Sequence, residues 1–379
     1  MSRTSTSSSV PQLDGGWVEA IRHDLLNWYD HNKRDLPWRI NRDPYRVWIS
    51  EIMLQQTRVD TVIPFYDRFM KRFPTLNDLA TADEEDVVKA WEGLGYYSRA
   101  RNLHTAVKEV AASYGGEVPA EWNEISRLKG VGAYTAGAIL SIAYNRRFPA
   151  VDGNVMRVIS RWLSLKDDVA KVSTRKKIEA LAVQVIPEDR PGDFNQALME
   201  LGALMCKPLN PACESCPVAA HCHARQQGIQ AELPVKTKAK PPVPAAVTIG
   251  WITDGNHILL EKRPPEGLLA DMWSLPTVET NPQEQTPGQT LRATLQERGF
   301  SVEMGAQLGE LEHIFSHRRW QISLIEGVVV TTAEPLPDRY CWVSPGQWDQ
   351  LALPNVYHKA IQLISTKREG SEGFQGRLF

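Results

Sequence analysis

From Trp17 to about Ala224 the apolar residues recur three and four positions apart, and no convincing stretch alternates with period two. Trp17, Ile21, Leu25 and Trp28 mark one face of a helix within 14–35. Leu36-Pro37-Trp38-Arg39 interrupts it, because the residue before a proline is pushed out of helical backbone. Asp43-Pro44-Tyr45 opens the next helix, which runs through Trp48, Ile49, Ile52 and Met53 to about Gln56. Helical periods also cover 58–73, 83–92, 98–114 and 120–128, and a further segment runs from Val155 to Leu163. The spacing predicts an all-α domain built from many short helices. Between 226 and 246 the periodicity disappears and Lys and Pro accumulate, which is the composition of a linker.

Beyond the linker the period changes. Ala246–Ile252 and His257–Leu260 read as strands around an Asp254-Gly255-Asn256 turn. A helix follows over 289–298, then strands over Trp320–Thr331 and Arg339–Val343, so this domain is α+β. The expected organisation is a disordered tail over 1–13, a helical domain over 14–225, a linker over 226–246, the α+β domain over 247–365 and a C-terminal tail over 366–379.

Composition narrows the class. At 379 residues the chain has room for two or three domains, and 42% hydrophobic with 23% charged residues is a globular balance. No apolar run approaches the roughly 18 residues of a membrane span, and the Ser/Thr-rich start lacks the apolar core of a secretory signal. Residues 1–230 carry 29 Lys and Arg against 28 Asp and Glu. A nucleic-acid partner must therefore be held by a local basic patch and aimed backbone amides, not by a global field.

Three stretches carry candidate chemistry. In Leu128–Ala136 the Gly130-Val131-Gly132 turn separates two helices. Glycine leaves nothing in front of the amides that open the second helix, and these can hold a phosphodiester oxygen. A glycine turn alone is most often an ordinary connection; within L-x-G-V-G-x-Y-T-A it resembles a helix-hairpin-helix, which grips the DNA backbone without reading sequence. Asp152, in Val151-Asp152-Gly153-Asn154, precedes a helix, where an Asp is usually an N-cap. Cys206, Cys213, Cys216 and Cys222 fall within seventeen residues in the order C-x6-C-x2-C-x5-C, which is metal-ligand spacing for a reducing compartment. His221 and His223 beside the last cysteine leave zinc open on chemistry alone, while the compact loop suits a cubane cluster. The fifth cysteine, Cys341, reads as a core thiol.

Taken with Leu36–Arg39, Trp48–Thr57 (WISEIMLQQT) and Gly93–Arg99 (GLGYYSR), these motifs resemble the endonuclease III superfamily of DNA glycosylases, and within it the adenine DNA glycosylases of the MutY type. The resemblance spans about 17–365. It implies a multidomain fold: an all-α helix-hairpin-helix glycosylase domain with a [4Fe-4S] cluster on the four cysteines, then an α+β Nudix-like domain. It implies base-excision repair, hydrolysing the N-glycosidic bond of adenine opposite 8-oxoguanine, or opposite G, in duplex DNA. The strand-cleaving branch has a lysine nucleophile where this chain has Tyr134, so a monofunctional enzyme leaving an abasic site is expected.

By that resemblance Glu51 protonates adenine N7 and Asp152 stabilises the oxocarbenium-like sugar, with Tyr134 and Asn154 steadying Asp152 and the sugar. An isolated helical Glu ordinarily faces solvent; here desolvation in the pocket is expected to raise its pKa. Trp38, Arg39, Leu54, Val59 and Gln196 match the adenine-pocket lining. Gln56, Thr57 and Tyr96 match DNA contacts, Gln56 and Tyr96 as wedges near the orphaned base. For Trp38, Leu54 and Tyr96 the alternative is core packing. Phe315-Ser316-His317 matches the loop that reads 8-oxoguanine. In the Nudix box the best match, Arg292–Phe300, keeps only Glu297 of the required acids, so no pyrophosphate hydrolysis is expected.

The remaining expectations are a monovalent or calcium ion at the hairpin phosphate site, a monomer, and a bacterial cytoplasm in which DNA holds the protein to the nucleoid. Three rival readings are a bifunctional endonuclease III-like pyrimidine glycosylase, a Nudix hydrolase with a DNA-binding appendage and a non-catalytic DNA-binding protein. Tyr134, the degraded box and the joint presence of Glu51 and Asp152 count against them in turn.

Overall fold

A computed structural model describes residues 10–238, 240–281, 283, 286–332, 335–344 and 346–375. The helices are α1 (Gly15–Asn32), α2 (Pro44–Leu54), α3 (Val59–Arg72), α4 (Leu76–Thr81), α5 (Glu84–Ala90), α6 (Ser98–Ser113), α7 (Trp122–Ile125), α8 (Ala133–Ile142), α9 (Gly153–Trp162), α10 (Val172–Val185), α11 (Pro191–Leu204), α12 (His223–Gln226), α13 (Pro287–Glu297) and α14 (Asn355–Gln375). The strands are β1 (Val243–Thr253), β2 (Ile258–Lys262), β3 (Trp273–Ser274), β4 (Thr277–Glu279), β5 (Phe300–Ile314), β6 (Arg318–Thr332) and β7 (Tyr340–Val343). The chain divides into two compact units, Met1–Ala82 with Ser98–Lys238, and Asp83–Tyr97 with Ala239–Phe379.

In the helical unit, α1, α9, α10 and α11 close a core of Ile21, Leu25, Val158, Trp162, Ile178, Leu181, Phe194 and Leu198. The α2 helix starts where proline is tolerated at the first position and Asp43 caps the amides of Tyr45 and Arg46. It is buried from Tyr45 through Met53 apart from Arg46, so an acid on this helix has no solvent-facing side to turn to.

Two terminal expectations change. Residues 10–13, expected in a disordered tail, dock instead: Val10 and Leu13 pack against the core, and the Leu13 amide donates to Gln184 at 2.9 Å. The rest of that tail, 1–9, lies outside the described residues. The expected linker is also partly bound. Leu233 is buried, the Val169 amide donates to the Val235 carbonyl, and Thr237 donates to Asp168.

The second unit is one sheet in the order β3-β2-β1-β6-β5, with β4 on β1 and β7 on β2. The central β1–β6 pair is parallel, with Val247 opposite Ile322 and Ile249 opposite Leu324. Alternation along β1 sends Val247, Ile249 and Trp251 to a core shared with Tyr357, Ala360 and Ile361 of α14, and Ile252 to one shared with Leu291 and Leu295 of α13.

The strand β5 escaped the sequence pattern because register shifts at Ser301/Val302, Met304/Gln307 and Gln307/Gly309 break its alternation. The α14 helix overrides the expected tail from 366, continuing to Gln375; positions 376–379 lie outside the described residues. The helical stretch 83–92 also groups with this unit, since Glu92 accepts from the Leu353 amide at 2.8 Å and pairs with His358 at 2.9 Å.

Candidate active site

The head of α9 is built by Asp152. Its Oδ1 accepts from the Val155 amide at 2.7 Å, and its Oδ2 accepts from Asn154 Nδ2 at 2.9 Å. The N-cap that the sequence suggested is therefore real, and it coexists with a place in a cavity. Asp152 and Asn154 line a pocket of about 370 Å³ together with Glu51, Tyr134, Trp38, Arg39, Leu54, Thr57, Val59, Gln196 and Glu200. That volume lies in the ordinary range for small-ligand sites, roughly 300–1,000 Å³.

Helix packing fixes this arrangement. A Cβ at Gly202 of α11 would lie 2.6 Å from Asn154 Cβ, so only glycine lets α11 approach the Asp152–Asn154 turn this closely. Arg157, one turn along α9, donates to Asn154 Oδ1 at 2.9 Å, to the Gly202 carbonyl at 2.9 Å and to the Cys206 carbonyl at 2.7 Å. One guanidinium thus ties the acid's neighbour to the cysteine loop.

Glu51 is 5% exposed. Burial pushes its pKa up to about 7, reinforced by the negative Asp152 and opposed by the Tyr134 hydrogen bond and the Arg39 charge. Burial also raises Asp152 above the usual carboxylate value, while the Val155 amide, Asn154 and Arg157 work against the rise. The pocket therefore holds two carboxyl groups under different constraint, one protonatable near neutrality and one held by donors.

Tyr134 behaves differently from expectation. Its hydroxyl donates to Glu51 Oε2 at 2.6 Å and meets Met199 Sδ at 3.4 Å; the stabilised partner is Glu51, not Asp152. Tyr134→Phe removes a bond that favours ionised Glu51. The Glu51 pKa should then rise, and a pH–rate profile should show its alkaline limb displaced upward by a few tenths of a unit to about one unit. An unmoved or lowered limb would count against this reading of the bond.

Trp38 is both core and lining: it is buried, crosses the Tyr66 ring edge-on at 5.3 Å and still faces the pocket. Gln56 and Tyr96 do not line it. Both have left-handed backbone, φ 58° and 48°, and Tyr96 is 48% exposed. Such strain in non-glycine residues concentrates at functional positions.

In the hairpin, Gly130 has φ +80°, and a Cβ there would lie 2.8 Å from that of Asn102. Gly132 precedes α8, whose first hydrogen bond back to the cap is from Ala136, leaving the amides of 133–135 outside the helical ladder. Val131 is buried beneath the turn.

Cys206, Cys213, Cys216 and Cys222 all line one cavity with Trp162, Leu201 and Met205, and Arg161 Nη1 lies 3.3 Å from Cys206 Sγ. Burial raises the pKa of Cys213, Cys216 and Cys222, and neighbouring sulfurs add to the rise. Among the described residues no three His, Cys, Asp or Glu side chains converge on a single metal ion. Four thiols around a shared cavity, with a cation on one sulfur, suit a larger thiolate-bound group.

In the second unit, Phe315 crosses Trp320 at 4.9 Å and anchors the β5–β6 turn, while Ser316 and His317 are exposed, with 3.3 Å between Ser316 Oγ and His317 Nδ1. Glu297, the acid left in the box, is exposed at the end of α13. The pattern analysis missed Glu200, Arg34 and Arg157. An acid one helical turn beyond Gln196 was the available signal for the first.

A model of the HhH-GPD superfamily of base excision DNA repair proteins matches residues 49–188, and a NUDIX domain model matches 248–363. The adenine DNA glycosylase of Homo sapiens is 35% identical, with 97% of this chain and 78% of the relative aligned. That of Schizosaccharomyces pombe is 33% identical over 97% of this chain and 94% of the relative, and that of Arabidopsis thaliana is 39% identical over 80% and 56%. Among solved structures, a thermostable thymine-DNA glycosylase superposes with a TM-score of 0.51 at 30% identity, covering 56% of this chain and 98% of its own. With an acid pair in a base-sized pocket, a glycine hairpin at the head of α8 and relatives aligned across both units, the chain belongs to the adenine DNA glycosylases of the MutY type and is a DNA N-glycosylase.

Proposed function

We propose that this chain removes adenine mispaired with 8-oxoguanine, and with guanine, leaving an abasic site in an uncut strand. The observation that carries the reading is the shared pocket: protonatable Glu51 and donor-held Asp152 line one cavity, with Tyr134 bonded to Glu51 and no lysine amine among the lining residues. The target nucleotide leaves the stack, at a cost of a few kcal/mol, and enters the pocket. Glu51 gives its proton to adenine N7. The C1′–N9 bond breaks with its electron pair leaving on the base. Asp152 stabilises the positive sugar, electrostatically or through a transient ester. Water adds to C1′ and its proton returns to Glu51. Without a lysine amine no Schiff base forms, so the strand stays intact.

The fold alone does not choose the base, since a thymine-DNA glycosylase shares it. The test is single-turnover assay of duplexes with A opposite 8-oxoguanine, A opposite G, and an oxidised pyrimidine, with borohydride added. Adenine release without a trapped adduct is expected. Pyrimidine release, or trapping as efficient as a lysine enzyme's, would overturn the reading.

Recognition of the opposite base belongs in this proposal to Ser316 and His317, whose short polar groups suit the N7–H and O8 edge of 8-oxoguanine. Replacing both with Ala should lower the ratio of A·8-oxoguanine to A·G excision by about 10-fold or more, since even one lost base-edge contact is worth roughly 1–3 kcal/mol. An unchanged ratio would remove them from the reading. Cys206, Cys213, Cys216 and Cys222 would hold a [4Fe-4S] cluster, which supplies a rigid, charged fastening for the loop rather than chemistry on the sugar. Iron and sulfide analysis should return roughly four of each per chain.

A further inference from the structure

Glu200 is a carboxylate that the reaction above leaves unused. It lies on α11, 1% exposed, and lines the same pocket as Glu51. Its Oε1 accepts from the Arg34 amide at 3.0 Å and Arg34 Nε at 2.8 Å; its Oε2 accepts from Arg34 Nη2 at 2.9 Å and Arg39 Nη2 at 3.0 Å. Arg39 Nη1 donates to the Arg34 carbonyl at 3.1 Å. Both terminal nitrogens of Arg39 are therefore committed to this clamp, while its Nε is buried without a hydrogen-bond partner.

The clamp also sets charge. Burial pushes Glu200 up, but the Arg34 hydrogen bonds and the Arg39 charge override it and hold the pKa at about 2, so the group stays ionised. Glu51 is faced by Tyr134 from α8, Asp152 from the head of α9 and Arg39 from the turn before α2, with Arg34, Arg58, Asp60 and Glu200 around the same cavity. Two guanidinium groups here share one buried carboxylate.

We propose that Glu200 is a positioning residue of the base pocket: it fixes the Arg39 guanidinium, the cation that acts on Glu51, at the pocket wall, and it balances guanidinium charge that would otherwise draw the proton from Glu51. The inference rests on the reading of Glu51 as the proton donor. A purely structural Glu200 would staple the 34–39 segment to α11 and slow excision equally at every pH.

The two roles separate in the alkaline limb of the single-turnover pH profile, which reports Glu51 whatever fraction of a variant folds. Glu200→Gln deletes an anion and should lower the limb by about one unit. Arg34→Gln deletes a cation that is one-third exposed and should raise it, by a few tenths of a unit. The double variant restores the charge count and should return the limb to within a few tenths of wild type, although excision stays slower. If Glu200→Gln fails to fold, the upward shift in Arg34→Gln carries the test. Limbs that stay in place while rates fall overturn the proposal. A wild-type profile with no alkaline limb overturns the Glu51 reading itself, which is a different and distinguishable failure.

Discussion

Replacing Asp152 with Asn should lower the single-turnover excision rate by roughly 10³- to 10⁴-fold while leaving duplex affinity within a few-fold of wild type. The substitution isolates charge from structure. Asn is as good an N-cap as Asp, so the 2.7 Å bond from the Val155 amide can be kept and α9 retains its start. Gly202 still packs against Asn154, and Arg157 still ties that side chain to the Cys206 carbonyl. What disappears is the negative charge next to the sugar as it becomes cationic, in a pocket where solvent screening is weak. In the proposed reading binding is carried elsewhere, by amides at the head of α8 and by basic side chains, and removing an anion from a site that takes a polyanion is not expected to weaken it. Near-wild-type excision by Asp152→Asn, measured by base release under enzyme excess, would contradict the mechanism outright.

The second large effect is at Glu51. Glu51→Gln preserves shape and an acceptor for the Tyr134 hydroxyl but has no proton to give, so a loss of roughly 10²- to 10⁴-fold is expected. The pH dependence is the sharper readout. In the proposed mechanism Glu51 works protonated, and burial pushes its pKa up to about 7, so wild-type excision should be present below that value and fall as pH rises through it. The variant's residual rate should be flat there. A stability effect of opposite sign follows. A carboxyl whose folded pKa is raised contributes stability that is full below its unfolded value, near 4.5, and lost as pH rises through about 7. Relative to wild type, Glu51→Gln should therefore gain thermal stability between about pH 5 and 8 by up to roughly 3 kcal/mol, since each unit is about 1.4 kcal/mol. A melting-temperature difference independent of pH would argue that Glu51 is not buried as described.

What could be read in advance depended on whether the determinant was local. The all-α and α+β periods located both folds, and the proximity of hairpin, Asp152 and cysteine loop marked the chemistry. Glu51 was found by motif, but the reason it titrates unusually is that α2 is buried on nearly every side, which an eleven-residue apolar helix hints at and cannot prove. Tyr134 was assigned to the wrong acid because spacing along α8 does not say which of two carboxylates across the pocket its ring reaches. Glu200 and Arg34 stayed invisible because they are 166 residues apart and each alone resembles a solvated charge. The 83–92 segment has an ordinary helical pattern, and only long-range bonds such as Glu92 to the Leu353 amide reveal its unit. In β5 three register shifts erase the alternation from which a strand is read.

The most direct test of the account is the excision profile of adenine opposite 8-oxoguanine, recorded under single turnover across roughly pH 5 to 9 for wild type, Glu51→Gln and Asp152→Asn. The expected result is a wild-type alkaline limb near 7 that Glu51→Gln lacks, with Asp152→Asn inactive throughout and the product strand uncut. A wild-type rate that is constant or rising from pH 6 to 8, or an Asp152→Asn profile that overlays wild type, would contradict it.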